Sequence, residues 1–148
     1  MSLQWDESLV LGFEEIDNQH KSIFEHFEKL SEAAQEGKSK EIIEELAVFL
    51  FDYAHMHFAT EDKIMVEYGY PKIEVQRHEH GEFTRDTNEL KKRIEQEGAT
   101  REVAIEATGK LLRWIIHHIR KHDKEMVAYV KESIALRQKY EAREPLET

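Results

Sequence analysis

The sequence predicts an all-α fold, an up-down-up-down four-helix bundle with an N-terminal arm and a charged C-terminal helical tail. Three observations predict it. Apolar residues recur with the helical period in four successive segments. Breakers are scarce, with six glycines and two prolines in 148 residues, and Gly37, Gly69 and Gly98 fall between the segments. The connections are two or three residues long, which makes neighbouring helices antiparallel.

The first helix is expected over about residues 18–36, with Ile16, His20, Ile23, Phe24, Phe27 and Leu30 on one face and Gly37 as its stop. Ser39 caps the second, whose stripe includes Ile42, Ile43, Leu46, Phe49, Leu50 and Tyr53 and continues through His57, Glu61, Ile64, Met65 and Tyr68. Gly69 ends it, and Pro71 suits the first turn of the third. The third stripe is Ile73, Gln76, His80, Phe83, Thr87, Leu90 and Ile94, stopped by Gly98. Thr100 caps the fourth, with Val103, Ala107, Leu111, Trp114, Ile115, His118 and Ile119 inward. The expected organisation is one domain over residues 1–148, with an arm 1–17, a bundle 18–130 and a solvated, fraying tail 131–148.

Composition narrows the function. Without cysteine there are no disulfides, thiolate metal sites or cysteine nucleophiles, and a reducing, cytoplasmic setting is expected. Acidic residues outnumber basic ones by 31 to 21, giving a net charge of −10, the wrong sign for a nucleic-acid partner. No signal peptide and no membrane span are expected, because no apolar run reaches the required length.

Nine histidines in this chain need an explanation. A bundle core rejects ionisable groups unless something rewards them. Yet each helix places imidazole or carboxylate on its apolar stripe: His20 on the first, His57 and Glu61 one turn apart on the second, His80 with Gln76 one turn before it on the third, and His118 on the fourth. One such histidine alone reads best as a hydrogen-bonded core residue. Four converging helices point to a shared cation. Imidazole with carboxylate and no thiolate fits iron, manganese or zinc, and the number of ligands suffices for two ions.

The residues then become specific. Trp5-Asp6, Gly12 and Ile16-Asp17-Asn18-Gln19-His20 are followed by His57-Phe58-Ala59-Thr60-Glu61-Asp62 with Met65, then Tyr70-Pro71 and His80-x-x-Phe83. Trp114-x-x-x-His118-Ile119-x-x-x-Asp123 closes the series. Over nearly its whole length the chain resembles the bacterial hemerythrins. The resemblance implies two iron ions joined by an oxo or hydroxo bridge, with O2 as the small-molecule ligand. Carried over by position, one iron takes His20 and His57 and keeps an open place for O2. The other takes His80 and His118, and Glu61 and Asp123 bridge the pair. It also implies an O2 pocket lined by Ile115, Ile119 and Trp114.

Two features depart from simple expectation. Asp123 follows His118 by five residues, ~140° around an ideal helix, so His122 is the better inward residue by spacing. The resemblance favours Asp123, with a π-bulge or broken turn as the physical means. The family also expects a histidine where this chain has Gln76, and His78, ~200° from His80, should face away. Of the three courses open to Gln76, weak ligation through its amide oxygen, holding a water or turning aside, the first two are expected, because the stripe points residue 76 inward. His26, His55, His78, His117 and His122 read as surface or boundary residues. Reversible O2 binding is the leading function. Turnover of peroxide or nitric oxide is the alternative, followed by an O2 or redox sensor and a metal-poor interaction bundle.

Overall fold

In the computed structural model, which describes residues 5–143, four helical rods form a bundle, and no strand occurs among the described residues. The rods are α1 (Glu14–Gln35), α2 (Lys40–Tyr68), α3 (Ile73–Glu97) and a composite of α4 (Arg101–His118), a π-helical turn (Ile119–Asp123) and α5 (Lys124–Arg143). α1 and α3 each pack against α2 and against α4.

The rod ends follow local chemistry. Ser39 and Thr100 accept hydrogen bonds from the Ile42 and Val103 amides at 3.3 and 3.2 Å, each cap contributing about 1 kcal/mol. Gly69 adopts φ 60° and ψ 42°, and the Tyr70 amide returns to the Met65 carbonyl at 2.9 Å. A side chain at residue 69 would strain this left-handed closure. Pro71 lies in the turn that follows, closed by the Ile73 amide on the Tyr70 carbonyl at 3.3 Å, so α3 begins after the proline rather than on it.

The first helix starts at Glu14, four residues before the expected start at residue 18. Asp17 accepts from the Leu11 and Gly12 amides at 2.8 and 3.0 Å and so ties the arm to the first turn of α1. The arm itself makes a 3-10 turn at Glu7–Leu9, capped by Asp6, and buries Leu9. Trp5 meets Phe24 edge-on, with ring centroids 5.5 Å apart.

On α2 the apolar face differs from the expected stripe. Ile42 and Phe49 are exposed, whereas Ile43, Ala47, Leu50, Phe51 and Ala54 are buried. Adjacent apolar residues leave the phase of the stripe open, and packing against α1 and α3 selects the face that carries the two alanines. The tail is not wholly solvated. Ile134 packs beside the cluster of Ile64, Met65 and Tyr70, and the Arg137 guanidinium lies 4.5 Å from the Tyr68 ring centroid. The expected fraying toward Pro145 lies outside the described residues.

Candidate metal centre

The stripes of the four rods bring His20, His57, Glu61, His80, His118 and Asp123 together, all of them buried. Glu61 and His57 are one turn apart on α2, and Glu61 Oε2 lies 3.4 Å from His57 Nε2 and 3.9 Å from His20 Nε2. Its other oxygen, Oε1, lies 3.1 Å from His80 Nε2. Asp123 repeats the pattern. Its Oδ2 is 3.0 Å from His20 Nε2, and its Oδ1 is 3.1 Å from His118 Nε2. Each carboxylate thus offers one oxygen to each side of the cluster. The two overlapping groups, His20-His57-Glu61-Asp123 and Glu61-His80-His118-Asp123, each have their ligand atoms within 4.8 Å of one another.

The π-helical turn makes this possible. Its wider winding lets both His118 and Asp123 face inward across five residues. The extra residue leaves His122 largely buried beside the cluster, where its Nε2 meets Glu79 Oε1 at 3.2 Å.

Metal fits these residues on their own evidence. Both nitrogens of His20, both oxygens of Glu61, Gln76 Oε1 and Asp123 Oδ2 are buried without a hydrogen-bond partner. Several stand at contact distance without forming a hydrogen bond, such as His20 Nε2 at 3.0 Å from Asp123 Oδ2 and Glu61 Oε1 at 3.1 Å from His80 Nε2. Such a concentration of unsatisfied groups is costly in a protein core, and a cation answers it. The donors are nitrogen and oxygen only, which suits a first-row transition metal.

The electrostatics of the protein without metal tell the same story. Burial pushes Glu61 up to about 7, helped by the negative charge of Asp123. Burial takes His57 down to about 4. For His118 burial again favours the neutral ring, but Asp123, Glu79 and Glu61 together overcome it and raise the group to about 10. Asp123 stays well below the usual carboxylate range: burial opposes this, and the charge of His118 prevails.

Gln76 is buried on the inward face of α3. Its Nε2 donates to Asp123 Oδ1 at 2.9 Å and approaches Met126 Sδ at 3.5 Å. Trp114 is only partly buried and stacks on His118, with centroids 4.6 Å apart at 11°. It therefore borders the His80–His118 side. Ile115 and Ile119 are buried in the apolar cluster that also holds Phe24 and Phe58. Phe58 stacks on His80 at 4.0 Å and 13°.

The other histidines behave as expected from their spacing. His78 is exposed beside Glu82, His117 is exposed, and His26 donates through Nδ1 to the Ser22 carbonyl at 2.7 Å. Two further residues touch the cluster. Gln19 Oε1 accepts from His57 Nδ1 at 2.7 Å and, through its amide nitrogen, binds Thr60 Oγ1 at 3.2 Å. Glu79 Oε1 lies 3.5 Å from His118 Nδ1. Gln19 and Glu79 hold the same place, one residue before His20 and His80, but only Gln19 falls within a motif read from the sequence.

Residues 11–130 match the hemerythrin HHE cation-binding domain. Bacteriohemerythrin of Pseudomonas aeruginosa is 36% identical over 133 residues, covering 90% of this chain and 84% of that protein. Bacteriohemerythrin of Methylococcus capsulatus is 34% identical over 108 residues, 73% of this chain and 80% of that one. Myohemerythrin of Theromyzon tessulatum is 25% identical, covering 81% of this chain and 87% of its own. The match covers the first three rods, the fourth as far as residue 130 and every residue of the buried cluster, and the chain belongs to the hemerythrin HHE cation-binding family.

Proposed function

We propose that this protein is a non-haem di-iron protein that binds O2 reversibly, for storage, delivery or scavenging. The observation that carries the reading is the division of Glu61 and Asp123, each with one oxygen toward each histidine pair. That division suits two cations sharing both carboxylates. His20 and His57 would hold one iron and His80 and His118 the other, with an oxo or hydroxo bridge between them. The iron pair, when bound, supplies the electrons for reversible O2 capture. The chain supplies the ligands and a neutral His57; Ile115, Ile119 and Trp114 would line the O2 pocket and keep water from it, backed by Phe58, which packs in the same apolar cluster and stacks on His80.

Gln76 Oε1 is the atom available to the second iron, directly or through a water, while Nε2 holds Asp123. This favours a second reading. With an amide in place of a third imidazole, the His80–His118 position accepts outside ligands more readily, and peroxide or nitric oxide turnover becomes a competing activity. The cysteine-free composition supports a cytoplasmic setting. No helix among the described residues is long and apolar enough to cross a membrane.

Elemental analysis with optical spectra tests the reading. Two irons per chain and a spectrum that changes reversibly on adding and removing O2 are expected. One zinc per chain, or no optical response to O2, would overturn it. Sustained consumption of peroxide or nitric oxide at the di-iron protein would favour the second reading. Glu61→Ala should lose metal while His26→Ala, outside the cluster, retains it.

A further inference from the structure

The two histidine pairs are held from outside by chemically different groups. His57 donates through Nδ1 to the neutral amide oxygen of Gln19 at 2.7 Å, and Gln19 is itself fixed by Thr60. On the other side, His118 Nδ1 faces the carboxylate of Glu79, whose Oε1 also meets His122 Nε2 at 3.2 Å. Glu79 and His122 are both more than four-fifths buried, at 17% and 16% exposure, so this contact is partly shielded from water. The His118 ring is confined as well. Trp114 stacks on it at 4.6 Å and His122 at 5.5 Å, from one turn before and one turn after. Its faces are packed and its outer nitrogen points to a carboxylate.

An imidazole that donates through Nδ1 presents Nε2 as a lone pair, and a carboxylate acceptor makes that lone pair more basic. His118 Nε2 is the atom that faces Asp123 and His80 in the cluster. Glu79 immediately precedes His80 on α3, so one helix delivers a ligand and also orients the ligand of the facing rod. The same position lacks an imidazole at residue 76, which leaves more of its affinity to His80 and His118.

Resting on the di-iron reading, we propose that Glu79 is a positioning residue for the metal held by His80 and His118, fixing His118 by its Nδ1–H and offsetting the imidazole that Gln76 does not provide.

The test is stepwise anaerobic titration of the full chain with iron(II) against a competing chelator. It is paired with nitrogen-15 NMR of the zinc(II)-loaded protein, in which the histidine rings report each position separately. In Glu79→Ala one of the two equivalents should weaken by roughly 10- to 100-fold, with the other unchanged. The His118 Nδ1–H proton should exchange faster with solvent. Glu79→Gln, which keeps an oxygen acceptor but loses the charge, should fall between wild type and Glu79→Ala in both measurements. Gln19→Ala should weaken the opposite equivalent. Wild-type affinity at both equivalents in Glu79→Ala would overturn the assignment. So would equal weakening of both with an unchanged His118 Nδ1–H exchange rate, which is the mark of general destabilisation. A wild-type chain that takes up fewer than two equivalents would overturn the di-iron reading itself, and this assignment with it.

Discussion

At the end of the bundle that holds Leu30, Ile43, Leu90 and Val103 the rods meet through apolar side chains, and the gap among them is only about 10 Å³, at the lower limit for a water. At the other end the same rods meet through His20, His57, Glu61, His80, His118 and Asp123, and several of the meeting atoms have no hydrogen-bond partner. Burial is equally complete in both regions, but its energetic sign is opposite. Dispersion and the hydrophobic effect stabilise the first without help. The second is stable only to the extent that charges pair or a cation enters. The comparison teaches that burial alone does not identify a core; the chemistry of what is buried, and whether its polar atoms are satisfied, separates a scaffold from a site.

The largest expected effect tests this division directly. Leu30→Ala in the apolar end should destabilise the protein by about 2–5 kcal/mol while the metal content per folded chain stays the same. Glu61→Gln should do the reverse, losing most of the metal while the melting of the metal-free protein barely moves. Denaturant melts with metal analysis on both variants check the crossover. Metal loss from Leu30→Ala that matches its loss of stability would mean that the two ends are not separable.

Metal removal should come next. Because binding favours the folded state, the loaded protein should be more stable than the metal-free one by about 2.7 kcal/mol when free metal is a hundredfold above the dissociation constant. Metal entry must displace the proton that His118 keeps up to about 10 and that Glu61 keeps up to about 7. Apparent affinity should therefore rise with pH, by about tenfold per unit for each proton released. The raised His118 group works in the other direction for the metal-free protein. Its contribution is fully present below the unfolded value of about 6.5 and is lost as pH climbs through about 10. Calorimetric titration in buffers of different protonation enthalpy counts the protons. None released at pH 7 would contradict the link.

A smaller effect sharpens the contrast within the site. Gln76→His should strengthen retention of the second metal by about tenfold, or 1.4 kcal/mol, by replacing a neutral amide with imidazole. It should also slow oxidation of the O2-loaded protein. Chelator-release kinetics and optical decay read the two quantities, and no change in either would place residue 76 outside the metal's reach. The smallest effect is confined to the scaffold. Thr100→Ala removes the cap of α4 and should cost about 1 kcal/mol of stability, with metal content and O2 response unchanged.

The helical period, the glycine stops and the Ser39 and Thr100 caps are all local features, because they depend on residues within a turn or two of each other. They made the four rods legible before any packing was known. The inward histidines were legible for the same reason: each sits at helical spacing from apolar neighbours, so a stripe that includes His20, His57, His80 or His118 announces a buried imidazole. Spacing alone chose His122 over Asp123, and only the resemblance to the hemerythrins corrected it. The π-helical turn supplies the physical reason, since an extra residue in one turn rotates everything after it.

Tertiary structure decided the rest. Ile42 and Phe49 face solvent while Ala47 and Ala54 face the core, because the phase of an apolar stripe with adjacent hydrophobic residues is set by the neighbouring rods. The amide of Gln76 turns to Asp123, an atom 47 positions away in sequence, and no local rule constrains that choice. Glu79 reaches His118 across two rods, 39 positions apart. Sequence by itself determined which residues share a face within each regular α-helical stretch, because that follows from 3.6 residues per turn. Which polar atoms meet, and which are left unsatisfied for a cation, depended on how four rods pack against one another.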